Sequence, residues 1–212
     1  MAKLEEIEQA YRRHHEQSRP GGFVYCGPER MERFRAWVGG PGRRVLDLGC
    51  RSGALAEAYL EGNEVVGVDV DRDQLAEAER RGLQTLWADV DEPLPFDDES
   101  FDAVVAGELL EHVRFPDRLL EEVGRVLRPD GVFVGSVPNS YRLKSRVRFL
   151  LGRPPEFADD PTHLRMFSGA DVRRLLDGFE EPEVEYVAGR LVPLHARLFA
   201  NDIVFRARKP AR

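Results

Sequence analysis

The sequence predicts an α/β domain built on a mostly parallel β-sheet with helices on both faces. Short apolar runs of strand length alternate along the chain with segments whose apolar residues recur at helical spacing. The apolar runs are almost continuously hydrophobic, which is typical of parallel strands that helices cover on both faces. With 212 residues, of which 42% are hydrophobic, the chain can bury one sizeable core. We therefore expect a single domain over residues 1–212.

The first 40 residues are expected to form a helical cap. Residues 3–17 are charged and repeat apolar side chains at helical spacing, which predicts a helix. The stretch "SRPGG" ends that helix, and Pro28 opens a second one that runs to about residue 38.

Residues 43–138 carry the strongest alternation of strands and helices and are expected to be the core. The predicted strands cover residues 44–48, 64–70, 83–90, 101–108 and 131–139, and the predicted helices cover 53–61, 71–81 and 116–127.

After the core the pattern changes. Residues 140–165 form an inserted, lid-like segment that begins with a basic amphipathic helix carrying Arg142, Lys144, Arg146 and Arg148. Two interpretations stay open: a solvated helix face, or a surface that attracts a phosphate-bearing substrate. Residues 166–212 complete the domain with a helix over 169–178 and strands over 182–189 and 200–208.

Composition excludes several classes of protein. The formal net charge of −7 argues against a general nucleic-acid binder, which usually presents a strongly basic face. The two cysteines have no metal-ligand spacing, so no metal site is expected, and they make no secreted disulfide framework. No apolar run reaches membrane-spanning length, and the first residues lack an apolar signal region. A cytoplasmic protein without a membrane span is expected.

The stretch "VLDLGCRSGAL", residues 45–55, joins a strand to a glycine turn and a helix-like segment, which is a ready site for a nucleotide. A phosphate-binding Walker loop would need Gly-Lys-Ser/Thr, which is absent. The dinucleotide fingerprint would place a glycine at position 51, where the chain has Arg51. The remaining pattern is Asp47-x-Gly49-x-x-x-Gly53. An acid at the strand end suits a ligand with a positively charged amino-acid part, which favours S-adenosylmethionine over NAD.

These residues resemble the first motif of class I S-adenosylmethionine-dependent methyltransferases, which usually reads close to D-x-G-C-G-x-G. The similarity continues in order through Asp69, Asp89, "FDAVVAGELLEHV" and "RVLRPDGVF", and it covers residues 43–138. The segment from "VPNSYRLKS" to "THLRMFS" resembles the branch of MetW-like and sugar- or lipid-pathway methyltransferases. The resemblance implies a Rossmann-like fold of seven strands with one antiparallel C-terminal strand.

The resemblance also implies a cofactor site. S-adenosylmethionine would be the methyl donor and S-adenosylhomocysteine the product. Asp69 would bind the ribose hydroxyls and Asp89 would face the adenine, although each could instead be a turn acid. The implied cofactor-binding residues are Asp47, Gly49, Cys50, Gly53, Asp69, Val70, Asp89, Val90, Glu108 and Leu109.

Two histidines are candidates for catalysis. His112, in "LLEHV", matches a family position close to the cofactor, and an imidazole there is suited to accept a proton near neutral pH. His163, in "THLRMF", is expected to face the substrate from the inserted segment. The alternative for each is a packed structural histidine. Arg51 departs from the family's usual glycine, and its effect on cofactor binding stays open.

The preferred function is in-line transfer of a methyl group to a small-molecule acceptor that the segments 1–40 and 140–165 enclose. The basic helix favours an anionic acceptor. One alternative is a non-catalytic methyltransferase-fold partner or regulator of another enzyme. A nucleic-acid or protein methyltransferase is third, because residues 107–110 read Gly-Glu-Leu-Leu where amino-group methyltransferases carry N/D-P-P-Y/F/W. The acceptor atom and the oligomeric state stay open.

Overall fold

Seven strands form one twisted sheet in the order β3-β2-β1-β4-β5-β7-β6. The structure is a computed structural model that describes residues 2–18 and 26–211. The strands are β1 (Arg44–Leu48), β2 (Glu64–Asp69), β3 (Gln84–Trp87), β4 (Phe101–Gly107), β5 (Leu127–Pro138), β6 (Glu180–Val187) and β7 (Asp202–Arg208). β1 to β5 pair in parallel, and β7 runs antiparallel to both β5 and β6. The predicted fold, with one antiparallel C-terminal strand, is confirmed.

Helices cover both faces of the sheet. They are α1 (Ala2–Ser18), α2 (Gly27–Val38), α3 (Arg72–Arg80), α4 (Pro116–Val126), α5 (Leu143–Leu150), α6 (Gly169–Leu175) and α7 (Ala196–Phe199). The predicted break "SRPGG" lies almost entirely in residues 19–25, outside the described residues. None of the helices in the described ranges has the length and apolar character needed to cross a bilayer.

The core consists of two apolar layers, one on each face of the sheet. Successive β1 residues alternate between them: Val45 packs with Phe34 of α2, whereas Leu46 packs with Leu119 of α4. Every residue of β1 after Arg44 is buried. This burial on both faces explains why the strands are apolar almost without interruption.

The predicted helix over residues 53–61 is wrong. That stretch forms turns and a short 3₁₀ helix, Ala56–Ala58. Arg51 (φ 47°) and Gly53 (φ 74°) both adopt left-handed backbone, and Gly62 (φ 76°) ends the segment. Left-handed residues interrupt a right-handed helix, and the stretch between them folds into turns around the short 3₁₀ helix.

Other element boundaries shift without changing the fold. β3 ends at Trp87 rather than at residue 90, because the chain turns away there to form a loop. β5 begins at Leu127, ahead of the predicted start at residue 131, and its pairing with β4 contains a register shift.

The topology positions a crevice at the carboxyl ends of the central strands. β2 lies on one side of β1 and β4 lies on the other. In parallel α/β sheets, the connections on the two sides of such a switch point lead to opposite faces and leave an opening between them. The loops after β1, β2, β3 and β4 therefore meet around one space.

Candidate functional site

A cavity of about 290 Å³ lies at this edge of the sheet. Its volume is near the lower end of the range for small-molecule sites, which is roughly 300–1,000 Å³. Seven of the ten predicted cofactor-binding residues line it, namely Gly49, Asp69, Val70, Asp89, Val90, Glu108 and Leu109. The loops after four different strands thus contribute to one wall.

Gly49 forms the turn that brings the backbone close to the cavity. Its φ is 69°, in the left-handed region that glycine adopts without a Cβ clash. A Cβ at this position would lie 2.9 Å from Leu109 Cδ1. The amide of Gly49 donates to the carbonyl of Val68 (2.8 Å), which fixes the turn against β2. A side chain here would fill space between the turn and Leu109.

Asp69 is held in place by the backbone. The amide of Asp71 donates to its Oδ1 and the amide of Arg51 donates to its Oδ2, each at 2.9 Å. A carboxylate has about four acceptor positions, so two backbone donors are compatible with further donors from a ligand. Asp69 is only 7% exposed, which makes a charge-assisted bond to a ribose diol stronger than at an open surface.

Arg51 occupies a position where the backbone is left-handed, a conformation that favours glycine. Its φ is 47°, and this conformation aims its amide at Asp69. Arg51 also lines the cavity. The departure from the family pattern therefore keeps the backbone geometry of the turn and adds a cationic side chain to the wall.

Asp47 does not line the cavity. It is 2% exposed and accepts a hydrogen bond from Tyr59 Oη at 2.9 Å. Burial raises the pKa of Asp47 to about 7, although the Tyr59 hydrogen bond acts in the opposite direction. The carboxyl group therefore lies behind the turn, where its protonation affects stability.

Cys50 and Gly53 also lie outside the cavity lining. Cys50 is buried against Gly67 of β2, and burial raises the pKa of its thiol well above the ordinary value. A Cβ on Gly53 would meet Ala78 and Leu83 at 3.2–3.3 Å, so this glycine allows the turn to pack closely on α3 and the chain after it. Both residues shape the turn from behind.

Asp89 lines the cavity and also caps its own loop. Its Oδ1 accepts the amide of Asp91 at 3.0 Å, within the loop after β3. Trp87 Nε1 donates to the carbonyl of Val70 at 2.9 Å and so ties this loop to the one after β2.

Glu108 lines the cavity, but its carboxylate belongs to a buried polar cluster. Ser136 Oγ donates to its Oε1 at 3.1 Å, and Arg30 Nη1 lies 3.4 Å from the same atom. Asp202 is fully buried beside them, and burial, followed by the charge of Glu108, raises its pKa well above the ordinary value. The cluster links α2, β5 and β7 to the cavity wall.

The two candidate catalytic histidines, far apart in the sequence, come together. Their ring centroids lie 4.8 Å apart. His112 lines the cavity, and its Nδ1 lies 3.1 Å from the carbonyl oxygen of Thr162. His163 lies behind it, outside the lining, and stacks on Phe157 at 4.7 Å. Direct access to a ligand in the cavity therefore belongs to His112.

Of the two segments predicted to enclose the site, 1–40 and 140–165, only α1 and the end of the inserted segment reach the cavity, and α2 and the basic helix do not line it. Ile7, Ala10 and Tyr11 of α1 line the cavity, as do Thr162 and Leu164. The helical spacing of Ile7, Ala10 and Tyr11 was the sequence signal that could have predicted that they share one face of α1. Burial, and after it the carboxylates of Asp91, Asp69 and Asp89, raises the pKa of Tyr11 to about 12.

Acidic residues outnumber basic ones around the cavity. Asp69, Asp89, Asp91 and Glu108 line it, together with the arginines 51 and 114. A wall of this composition favours a ligand that carries positive charge. The sulfonium and ammonium groups of S-adenosylmethionine meet that condition, its ribose diol suits Asp69, and the Gly49 turn leaves room for it.

Three of the four basic side chains of the basic helix form ion pairs within their own segment, but the two acids involved balance only two of the four positive charges. Arg142 and Lys144 form ion pairs with Glu156, and Arg148 forms one with Asp159. These acids belong to the 3₁₀ helix Glu156–Asp159 that follows α5. The pairs reduce the positive field that the basic helix alone would present to a phosphate.

Comparisons with known proteins agree with this arrangement. Residues 46–135 match the family model described as "Methyltransferase domain". A probable S-adenosylmethionine-dependent methyltransferase of Mycolicibacterium smegmatis is 34% identical over 66% of this chain and 52% of its own length. A ubiquinone biosynthesis O-methyltransferase of Alkalilimnicola ehrlichii is 34% identical over 53% of this chain and 49% of its own length. The chain thus spans about half the length of these curated relatives.

A solved structure extends the similarity in fold to almost the whole chain. The crystal structure of a SAM-dependent methyltransferase from Archaeoglobus fulgidus aligns with a TM-score of 0.71 and 23% identity, covering 94% of this chain and 99% of the other. At 23% identity this alignment shows similarity of fold alone.

Proposed function

The chain belongs to the class I S-adenosylmethionine-dependent methyltransferase family, and we propose that it transfers a methyl group from S-adenosylmethionine to a small-molecule acceptor. The bound cofactor would supply the electrophilic methyl group. The observation that carries the proposal is the Asp69 carboxylate, fixed by two backbone amides beside the Gly49 turn, at the edge of a cavity whose charged lining residues are mainly acidic.

Different cavity residues would bind the parts of the cofactor and assist the transfer. Asp69 would hold the ribose hydroxyls, while Asp89 and Val90 would flank the base. Glu108 and Leu109 follow β4 and line the cavity, and they would lie beside the methyl group. Methyl transfer is an in-line displacement, so the protein's main contribution is to align the acceptor and exclude water. His112 is placed to accept a proton from an acceptor in the cavity.

The covering segments support a small acceptor over a macromolecule. α1 contributes to the cavity wall together with Thr162 and Leu164, so an acceptor would be enclosed and desolvated. The ubiquinone biosynthesis relative acts, by its name, on a small molecule. An anionic acceptor stays a prediction, and the internal ion pairs of the basic helix weaken its electrostatic basis.

The direct test is calorimetric titration with S-adenosylhomocysteine. We expect micromolar binding to the wild type, and Asp69→Asn should weaken it because a charge-assisted hydrogen bond becomes neutral. The expected loss is about 1.5–3 kcal/mol, roughly 10- to 100-fold in affinity. Asp117→Asn is the matched control, since Asp117 is exposed in the first turn of α4 and does not line the cavity.

Turnover separates the enzyme from the non-catalytic alternative. An assay for S-adenosylhomocysteine release across a panel of metabolites should find an acceptor for the wild type. Cofactor binding without turnover on any acceptor would favour the partner or regulator, whereas no binding of S-adenosylhomocysteine would contradict both the cofactor site and the proposed activity.

A further inference from the structure

The helix α5 turns its apolar side chains toward solvent. Four of them recur at positions i, i+4, i+7 and i+8 and therefore share one face of the helix and of the residue after it. This apolar stripe consists of Leu143, Val147, Leu150 and Leu151. All four side chains are exposed, Leu150 by 83% and Leu151 by 68%. An amphipathic helix of a globular protein normally buries such a stripe, so α5 has the opposite arrangement.

The polar side of α5 faces the protein. Ser145 is the one buried residue of this helix, all of which the structure describes. Arg142 and Arg148 are each three residues from Ser145, on the same side, and they form ion pairs with Glu156 and Asp159. Among the described elements, α5 packs mainly against the 3₁₀ helix that carries these two acids. The inward contacts are thus polar, and the apolar stripe points away from them.

Cationic side chains border the apolar stripe. With about 100° of rotation per residue, Arg146 lies beside one edge of the stripe and Lys144 beside the other. Both are exposed. Lys144 pairs with Glu156, whereas Arg146 Nε donates to the carbonyl oxygen of Tyr141 at 2.7 Å, a neutral partner. An apolar face bordered by Lys and Arg is typical of helices that lie in the interface of an anionic membrane.

A second segment with the same character adjoins the beginning of α5. Residues 188–201 contain two arginines and no acid. Leu191 and Leu194 are exposed there, Leu194 by 74%. The side chain of Arg142 donates to that of Asn201, which connects this segment to α5. Exposed leucines and uncompensated basic residues therefore occur in two segments that touch.

The charge of these segments is opposite to that of the rest of the chain. Residues 140–161 contain five basic and three acidic side chains. Together with residues 188–201 they carry a net charge of +4, and the remainder of the chain carries −11. An anionic surface would attract this region and repel the rest, which would orient the protein. A symmetric contact between two copies would instead place the same positive patch against itself.

We propose that α5 attaches the protein reversibly to the surface of an anionic lipid membrane. The apolar stripe would enter the boundary between headgroups and acyl chains, and Arg146 and Lys144 would lie among the lipid phosphates. The eight residues of α5 extend about 12 Å, far less than a bilayer core, so the helix lies in the interface plane. A stripe this short gives weak, reversible binding.

The attachment does not depend on the proposed methyl transfer. The residues of the apolar stripe do not line the cavity, and neither do Lys144 and Arg146. Variants at these positions should therefore bind S-adenosylhomocysteine as the wild type does. A failure of the cofactor titration and a failure of lipid binding are for this reason separate results.

The test is co-sedimentation of the full chain with lipid vesicles. Vesicles of phosphatidylcholine containing about one third phosphatidylglycerol should bind the protein, and vesicles of phosphatidylcholine alone should bind it more weakly. Added salt should reduce binding to the mixed vesicles, because it screens the charges. The double variant Leu150→Gln, Leu151→Gln should weaken that binding more than roughly 10-fold, since withdrawing a single leucine from water already contributes about this factor.

Two matched controls lie outside the patch. Phe115→Gln removes an exposed apolar side chain that precedes α4 and should leave vesicle binding unchanged. Arg146→Gln should weaken binding to the mixed vesicles by about 5-fold, the contribution of one basic residue near an anionic surface. Arg173→Gln, an exposed position on α6, should have no such effect.

The proposal is overturned if the wild type does not sediment with the mixed vesicles. Equal binding by the Leu150→Gln, Leu151→Gln and Phe115→Gln proteins, with wild-type circular dichroism, would overturn it as well. Sedimentation equilibrium without lipid detects the competing occupant, a second copy of the chain. A dimer that the Leu150→Gln, Leu151→Gln protein no longer forms would assign the apolar stripe to that contact and would contradict the lipid surface.

Discussion

At the turn after β1, the left-handed backbone conformation of residue 51 favours glycine, although the chain has Arg51 there. A non-glycine residue at φ 47° carries a steric cost of about 1 kcal/mol, which glycine avoids. The amide of Arg51 nevertheless makes the bond to Asp69 whatever the side chain is. The backbone and side-chain consequences of this substitution can therefore be separated.

We predict that Arg51→Gly is more stable than Arg51→Ala by about 0.5–1 kcal/mol, because both remove the side chain but only glycine relieves the left-handed strain. Urea denaturation of the two variants measures the difference. The matched control is Arg81, which has φ −83° at the end of α3; there alanine should be the more stable of the pair. If the glycine and alanine variants ranked in the same order of stability at positions 51 and 81, the predicted backbone strain at Arg51 would be contradicted.

Asp47 should make stability depend on pH. Its folded-state pKa of about 7 exceeds its ordinary value of 3.8, so the folded state binds the extra proton between these values. The contribution of Asp47 to stability is therefore greatest below about pH 4 and falls as pH rises toward 7, by up to about 1.4 kcal/mol per pH unit.

Asp47→Asn should remove that slope, since an amide has no proton to lose and its carbonyl oxygen can still accept from Tyr59. Chemical denaturation of both proteins at several pH values between 4 and 8 measures it. Identical pH profiles would show that Asp47 does not titrate in this range.

At the scale of elements, Glu8 is a polar anchor that ties α1, which lines the cavity, to α3. The Glu8 carboxylate is 3% exposed and accepts from Arg72 Nη2 at 2.7 Å, from the Arg72 amide at 3.2 Å and from Arg12 Nη2 at 3.0 Å. The side-chain bond from Arg72 is the main cause that lowers the pKa of Glu8. The stabilisation is thus present above the ordinary glutamate pKa and is lost as pH falls below it.

Glu8→Gln should loosen α1 from α3, because charge-assisted bonds become neutral, at a cost of about 1.5–3 kcal/mol. Hydrogen exchange of residues 4–11 should speed up, and S-adenosylhomocysteine should bind more weakly because Ile7, Ala10 and Tyr11 line its cavity. Glu6→Gln, an exposed position on the same helix, serves as the control. Unchanged exchange in Glu8→Gln would show that the other contacts of α1, among them the Arg12–Asp73 ion pair at 3.0 Å, are enough to hold the helix.

At the scale of the whole molecule, ligand binding should stabilise the fold. S-adenosylhomocysteine at 100 times its dissociation constant should add about 2.7 kcal/mol, which corresponds to a rise in Tm of roughly 5–11 °C for a domain of this size. Thermal denaturation followed by circular dichroism measures the shift. NAD at the same concentration should give none, because the acidic cavity disfavours its pyrophosphate. A comparable shift with NAD would contradict the assignment of the turn.

The sequence by itself determined the strands of the sheet and the edge at which the cavity lies. The strands could be predicted because parallel strands buried on both faces must be apolar almost throughout, and this is a local property. The turn from Asp47 to Gly53 could be interpreted because a strand followed by glycines limits the local backbone to few conformations. Asp69 and Asp89 then followed from their positions after the next two strands.

Only the tertiary structure decided which residues face the cavity and which meet across the chain. It placed Asp47, Cys50 and Gly53 behind the turn, since one chain segment contributes side chains to both sides of a sheet edge. It paired the basic helix with Glu156 and Asp159, and it brought His163 against Glu111 and His112. Each of these outcomes depends on contacts between segments that are distant in sequence, which no local pattern of residues encodes.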